Sequence, residues 1–545
     1  MCGNQRKGSI QQRETRLYRR YVRQRTDRGF DNTDSRLILA RVEILKSRIP
    51  HGTTQYASGG AILSALLALA LMMPGTGFSQ DAAADPDPPS SLTQEPIAAA
   101  PAPKPADPKL SWDTGAGKNY LLPALEILGF DILLNRANQQ IYEGNDYNVS
   151  TSTIRRNLHH SWGTDHDPFK VNQLGHPYQG SMYHGFARSA GLDYWESLGY
   201  TFVGSAMWEI AGESTPPTKN DQIASGIGGT FLGEALFRMA SLVLEHSPDS
   251  TPRFWRELSA AVISPSTGFN RLAFGDRYDS IFSSRGAAYY SRFALAVAGT
   301  TQQVSGPSAR SSNGEVLADF SIDYGMPGKP DYAYKRPFDY FTFQATASTE
   351  HGFENVMTRG LLYGSDYALG KDYRGVWGIY GSYDYISPQI FRVSTTALSL
   401  GTTGQYWLSD SIALQGTGLV GVGYAAVGTI GGRIDESNYH YGTAPQALIA
   451  LRMIFGEKAS IDATAREYFV TNATAANRAG HDNIARIDLA LTWRVHKRHA
   501  VAVKYLWNRR DATFPNLGDL TQARSTVGIY YTLLGHDRFG ATEWR

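Results

Sequence analysis

The sequence predicts an α+β membrane protein: an N-terminal helical domain followed by an antiparallel transmembrane β-barrel of about twelve strands. Three observations predict it. From about 287 to 534 apolar and polar residues alternate with period two, the pattern of strands with one apolar face. From about 117 to 263 the apolar spacing is helical instead. Ahead of both, the thirteen-residue apolar run 61–73 is too short to span a bilayer and is followed by the small-x-small sequence Gly77-Phe78-Ser79.

That run marks a signal peptide, so residues 1–80 read as a basic leader and export signal. Residues 1–50 hold 13 Lys and Arg against 5 Asp and Glu, and 51–80 hold neither. The formal charge of +2 therefore hides a body of 39 basic and 45 acidic groups, a net −6, which argues against a nucleic-acid partner. The single cysteine, Cys2, falls in the leader, so the exported chain is expected to form no disulfide. Residues 81–110 are rich in Pro and Ala and read as a linker.

A helical domain is expected over 111–275, with helices near 120–135, 182–196, 197–213, 221–245 and 252–263. Residues 223–244 carry only Glu234 and Arg238 as charges, and Gly226, Gly229 and Gly233 allow close backbone approach. The stretch reads as a buried helix of a tight bundle, because a helix stopping in the inner membrane would block further export.

The barrel is expected over 285–535, with 536–545 a periplasmic tail. Strands include those bearing Phe293/Leu295/Val297, Phe341/Phe343 and Val527/Ile529/Tyr531. Register follows from parity. In 444–455 and 461–469 the apolar positions are odd-numbered, so a three-residue loop, Gly456-Glu457-Lys458, sets Arg452 opposite Asp462. A matching loop, Lys497-Arg498-His499, would set Leu491 opposite Tyr505. Strand length, aromatic residues at strand ends and an export signal favour lipid over a sandwich core. Long connections are expected at 299–313, 427–441, 471–483 and 511–521. Inward positions carry both signs, among them Arg292, Asp319, Asp323, Arg452, Asp462, Arg466, Asp488, Arg494, Lys504 and Arg524, which predicts cross-strand pairing rather than an open pore.

Several motifs of the helical half lie close together: DPFKVNQLGHPYQGSMYHGFARSAG, SAMWE, the Glu-x-x-Pro-Pro-x-x-Asn-Asp region, GGTFLGEALFRM and PSTGFNRL. Together they resemble a family of uncharacterised bacterial proteins that joins a helical domain of unknown function to a C-terminal outer-membrane barrel. The resemblance spans roughly 117–275 and implies architecture without an activity.

The candidate catalytic residues are His176, Arg188, Glu209, Glu213, Glu234 and Arg238. Read structurally, Glu234 and Arg238 form an intrahelical pair and Glu209 takes a basic partner such as Arg188. Read functionally, His176 and a glutamate act as base or ligand while an arginine holds an anion. Asn220-Asp221 reads as a helix cap after Pro216-Pro217. Weak metal candidates are His159, His160, Asp165 and Asp167, in a crowd that adds His166, His176 and His184 but lacks any fixed ligand spacing. No cofactor motif is present. The expected role is a barrel anchoring a periplasm-side helical domain, placed on the periplasmic side or within the barrel mouth, with a structural or envelope-interaction function. The alternatives are a lipid-handling or lipid-modifying enzyme and a narrow solute channel. Expected partners are outer-membrane lipid, the barrel assembly machinery and an envelope protein or lipid ligand.

Overall fold

The computed structural model describes residues 109–142, 144–165, 167–246, 253–304, 310–349, 352–429, 439–471, 480–514, 518–535 and 538–544. The expected signal peptide, Cys2, the expected linker as far as 108, His166 and His351 lie outside the described residues.

The strands are β1 Tyr289–Val304, β2 Arg310–Tyr324, β3 Phe341–Ser348, β4 Asn355–Leu369, β5 Tyr373–Ile386 and β6 Phe391–Ser409. They continue as β7 Ile412–Thr429, β8 Tyr439–Phe455, β9 Ala459–Thr471, β10 His481–His496, β11 His499–Phe514 and β12 Gly518–Leu534. Each pairs antiparallel with its neighbours in sequence, and β1 pairs with β12 to close the barrel. Arg452 faces Asp462 across the predicted loop. The β10–β11 register differs from expectation: Leu491 faces Val503, and Tyr505 faces Leu489. A two-residue turn, Lys497-Arg498, joins these strands, and an irregularity between Arg494 and His496 supplies the odd residue expected of the loop. Parity survives while the register moves by two residues. The strands run on past their apolar belts into the four spans expected as long connections, and 305–309, 430–438, 472–479 and 515–517 between them lie outside the described residues.

The helices are α1 Leu121–Ile141, α2 Thr151–His159, α3 His176–Ser189, α4 Tyr194–Met207, α5 Lys219–Ile223, α6 Gly229–His246, α7 Arg253–Ile263 and α8 Pro265–Phe274. Three π-helical turns, Val171–Gly175, Trp208–Gly212 and Ala224–Gly228, run into α3, out of α4 and between α5 and α6. A Cβ on Gly229 would meet Gly180 Cα at 2.6 Å, and one on Gly233 would meet His184 Cβ at 2.8 Å. The predicted glycines thus bring α6 backbone-close to α3.

The outward face of the barrel is marked by its exposed apolar residues: Leu295 and Val297 on β1, Ile379 on β5, Leu398 and Leu400 on β6, Ile449 and Leu451 on β8, and Ile529 on β12. Following the same parity along the strands gives Tyr324, Phe341, Phe343, Gly360, Gly381, Tyr383, Tyr385, Thr396, Tyr439 and Tyr441. These outward residues are buried against the helices. Phe231 of α6 sits on Gly381, and Phe338 of the β2–β3 connection on its cross-strand neighbour Gly360, where an added Cβ would meet the rings at 2.4 and 2.5 Å. Phe169 packs on Tyr385 and Tyr439 at 5.9 and 5.3 Å between ring centroids.

The helical domain therefore docks on the outer wall of the barrel and not within its mouth, which was one of the two placements expected. The physical reason is chemical matching. Phe231, Leu232, Ala235 and Met239 form an apolar core with the wall, whereas the lumen is lined with charge. Inside, Arg292 pairs with Asp462 at 3.1 Å, Arg452 with Asp323 at 2.8 Å, Arg466 with Asp488 at 3.1 Å and Lys504 with Asp319. Arg524 bridges Glu315 and Glu354. Between these pairs remains a cavity of about 200 Å³.

Of the span expected as a periplasmic tail, residues 538–544 fold back into the lumen. Phe539 is fully buried beside Tyr290, Gln405 and Gln415 donate to the carbonyls of Thr542 and Gly540 at 2.7 and 2.8 Å, and Trp544 donates to Lys371 O at 2.9 Å.

Candidate functional site

Five of the six candidate residues fall into two clusters rather than one cleft, and Glu213 belongs to neither. In the first, Glu234 is fully buried and receives Arg188 Nε at 2.7 Å, Arg238 Nε at 2.8 Å and His184 Nε2 at 3.1 Å. Arg238 also reaches Asp339 at 3.1 Å and the carbonyl of Pro337 at 2.6 Å, which ties α6 to the β2–β3 connection. The intrahelical Glu234–Arg238 pair is as expected. Arg188, however, pairs with Glu234 and not with Glu209.

The second cluster gathers His176, Glu209 and Asp221, all buried, with one ligand-type atom from each lying within 4.8 Å of the others. The π turns build it. Val171–Gly175 delivers His176 to the start of α3, Trp208–Gly212 contains Glu209, and Ala224–Gly228 contains Ser225, whose hydroxyl lies 3.2 Å from His176 Nδ1. π turns recur at functional sites. Asn220 and Asp221 do not cap their helix, which corrects the capping expectation: Thr218 is the N-cap residue and no side chain caps. Thr218 and Asp221 stand at capping-box spacing, but the Thr218 hydroxyl donates to the Asp221 carboxylate at 2.6 Å. Thr218 N–H also donates to Glu209 at 2.8 Å.

A polar shell joins the cluster to the barrel. Asp165 accepts from Asn172 and Asn220, each at 2.7 Å, and both amides also contact the hydroxyl of Tyr441 on the outer wall. Tyr439 donates to Asp167 O at 2.8 Å. Asp165 is thus the one weak metal candidate to join this shell by its side chain. His159 and His160 lie at the exposed end of α2, and Glu213 turns aside to accept from Trp208 Nε1 at 2.7 Å. Sequence reasoning missed Asp221, Thr218, Asn172 and Ser225 as members. Only the capping-box spacing 218–221 could have flagged one of them.

Among the described residues no Lys or Arg forms an ion pair with Asp165, Glu209, Glu213 or Asp221. Burial consequently pushes the Glu209 carboxyl well above the usual range and Glu213 up to about 7. Burial also pulls the His176 imidazole down to about 4. His176 is neutral at physiological pH, a form suited to accepting a proton or ligating a cation. The arginines needed to hold an anion beside it are engaged with Glu234.

Fold and clusters define a twelve-strand barrel of outer-membrane type that carries a helical domain on its outer wall. Residues 161–266 of that domain match the family described as Domain of unknown function (DUF3943). No curated protein matches the chain. Among solved structures, the translocator domain of autotransporter NalP from Neisseria meningitidis is 13% identical, covering 50% of this chain and 97% of its own at a TM-score of 0.23. An anion-selective porin from Comamonas acidovorans is 10% identical, covering 46% and 99% at 0.22. The toluene transporter TodX of Pseudomonas putida is 9% identical, covering 45% and 89% at 0.21.

Proposed function

We propose that this is an outer-membrane protein with a structural or envelope-interaction role, in which a closed barrel serves as scaffold and the helical domain at its side, within the lipid, is the interacting part. One observation carries the reading: the helices cover part of the outward apolar face from β2 to β8, as at Tyr324, Phe341, Tyr383 and Tyr441, while the lumen is crowded by ion pairs and the C-terminal residues. The domain's far side supports it. Leu121, Leu125, Leu128 and Ile132 form an exposed stripe on α1, and Phe254, Trp255, Leu258 and Val262 another on α7. A surface apolar on both sides suits a protein sandwiched between barrel wall and lipid. The lipid-modifying alternative rests on His176 and Glu209 lying together, but its anion-holding arginines are engaged elsewhere.

Spin labels at Leu125→Cys and Val262→Cys, in the chain reconstituted in lipid, test the reading. Both should be accessible to oxygen and shielded from a water-soluble nickel relaxant, as a label at Val297→Cys on the bare wall should be. Nickel access matching that of a polar loop would refute it.

A further inference from the structure

We propose that His176, Glu209 and Asp221 bind one divalent transition-metal cation where the helical domain meets the barrel wall. The donor set is one imidazole and two carboxylates, which suits zinc, manganese or iron. Calcium and magnesium favour oxygen alone. One ligand atom from each residue already lies within 4.8 Å of the others. Ligands about 2.0–2.2 Å from a shared ion stand about 3–4 Å apart, so a contraction of at most about 1–2 Å completes the site.

Charge argues the same way. This chain neutralises another fully buried carboxylate, Glu234, with two arginines and a histidine. Glu209 and Asp221, with Asp165 behind them, have no such cation among the described residues. A metal ion supplies what the arginines supply to Glu234.

The surrounding groups hold the ligands as an outer shell would. Ser225 engages His176 Nδ1, which leaves Nε2 directed at the carboxylates with no hydrogen bond and with Asp221 Oδ2 at 3.9 Å, beyond bonding reach. Thr218 fixes one oxygen of Glu209 and one of Asp221, and Asn220 fixes the other Asp221 oxygen at 2.8 Å. Asn172, whose nitrogen holds Asp165, is fully buried with its Oδ1 unpartnered. The buried Asn172 Oδ1, without a partner beside this cluster, is the second sign of a missing ligand.

The test uses the full chain purified in detergent, stripped with a chelator, dialysed against zinc or manganese ions, and assayed by mass spectrometry for metal per chain. Wild type should retain about one equivalent, and Asp221→Asn and His176→Ala should bind at least about tenfold more weakly. His160→Ala, outside the cluster, should match wild type. Asp221→Asn removes a ligand and a buried charge together, so it should fold, and circular dichroism checks that it does. Absence of metal from wild type, or equal retention by wild type and folded Asp221→Asn, overturns the proposal.

Discussion

Glu234 and Asp221 are both buried acids on one helical stretch, yet the same change of acid to amide should act on them with opposite sign. Glu234→Gln strands Arg188 and Arg238 without their shared counter-ion and should cost on the order of 3–5 kcal/mol. Asp221→Asn in metal-free protein relieves a carboxylate that no cation faces, and should raise stability by about 1 kcal/mol. Thermal loss of the helical dichroism signal, read in chelator, separates the two; destabilisation by both would refute the difference. A pH dependence follows from the same cluster. Carboxyls raised by burial, as at Glu209 and Glu213, contribute stability that is complete below their unfolded pKa and lost as pH rises through the folded one. His176, depressed to about 4 from 6.5, acts the other way, but only below 6.5. Above it the carboxyls act alone. The metal-free helical domain should therefore melt lower at about pH 8.5 than at 6.5, and Glu209→Gln should flatten that slope by up to about 1.4 kcal/mol per pH unit. An unchanged slope would contradict the assignment. His176 and Glu209 were legible as candidates because charged groups are rare in greasy helices. Their convergence with Asp221 was not, because it depends on three π turns that shift side chains around the helix, and no residue preference announces such turns.

At the scale of elements, period-two alternation located the barrel and parity set the β8–β9 register correctly. The β10–β11 register moved because parity is blind to where an odd residue sits, in the turn or in a strand irregularity. The docking of α6 depends on a notch. Gly360 and Gly381 are cross-strand neighbours on the outward face, and the rings of Phe338 and Phe231 occupy the space their missing side chains leave. On the proposed placement in lipid, which gives helices little hydrophobic drive to associate with a wall, close packing supplies much of the attachment. Gly381→Leu should therefore undock the domain, at a packing cost of about 1–3 kcal/mol, and leave the barrel folded. Limited proteolysis should cut the helical domain sooner while heat-modifiable gel migration persists. Unaltered proteolysis would mean that the notch is incidental. The tail is a separate element. Truncating the chain after Gly535 should leave β12 paired to β1 and β11, so the barrel should still insert, but it uncovers Tyr290 and Trp407 and should lower the barrel's melting temperature. Failure to insert would place the assembly signal in the tail rather than in 527–533.

For the whole molecule, the question is what lies on the apolar side of the strands, and around the barrel the answer changes. On β9 to β12, and on much of β1 and β6 to β8, the outward apolar residues are exposed, as at Ile529 and Val501, and face the surrounding medium. On β3, the ends of β2 and β5, the start of β4 and the adjoining ends of β7 and β8 the same face is a protein core, while Val316 on β2 and Ile379 on β5 stay exposed. Alternation is identical in both cases, because a strand needs only one apolar side whatever covers it, so the sequence could not distinguish wall from interface. Composition offered a trace of the difference: the covered arc carries Tyr383, Tyr385, Tyr439 and Tyr441, rings whose hydroxyls need polar partners, and Tyr383, Tyr439 and Tyr441 find them in the helical domain, as Tyr439 does at Asp167 O. The lumen completes the division of labour. Mixed charges pair across it, an apolar cluster including Ile386, Phe391 and Val470 lies at one end, and the folded-back tail lies at the other. Full-length protein in a planar bilayer should show no large, steady conductance, in contrast to a porin of open lumen. Arg452→Ala combined with truncation after Gly535 removes an ion-pair hub and the plug together, and should produce brief, small openings. A stable, porin-sized current through the intact chain would show that the barrel is a channel after all and that the helical domain is its accessory.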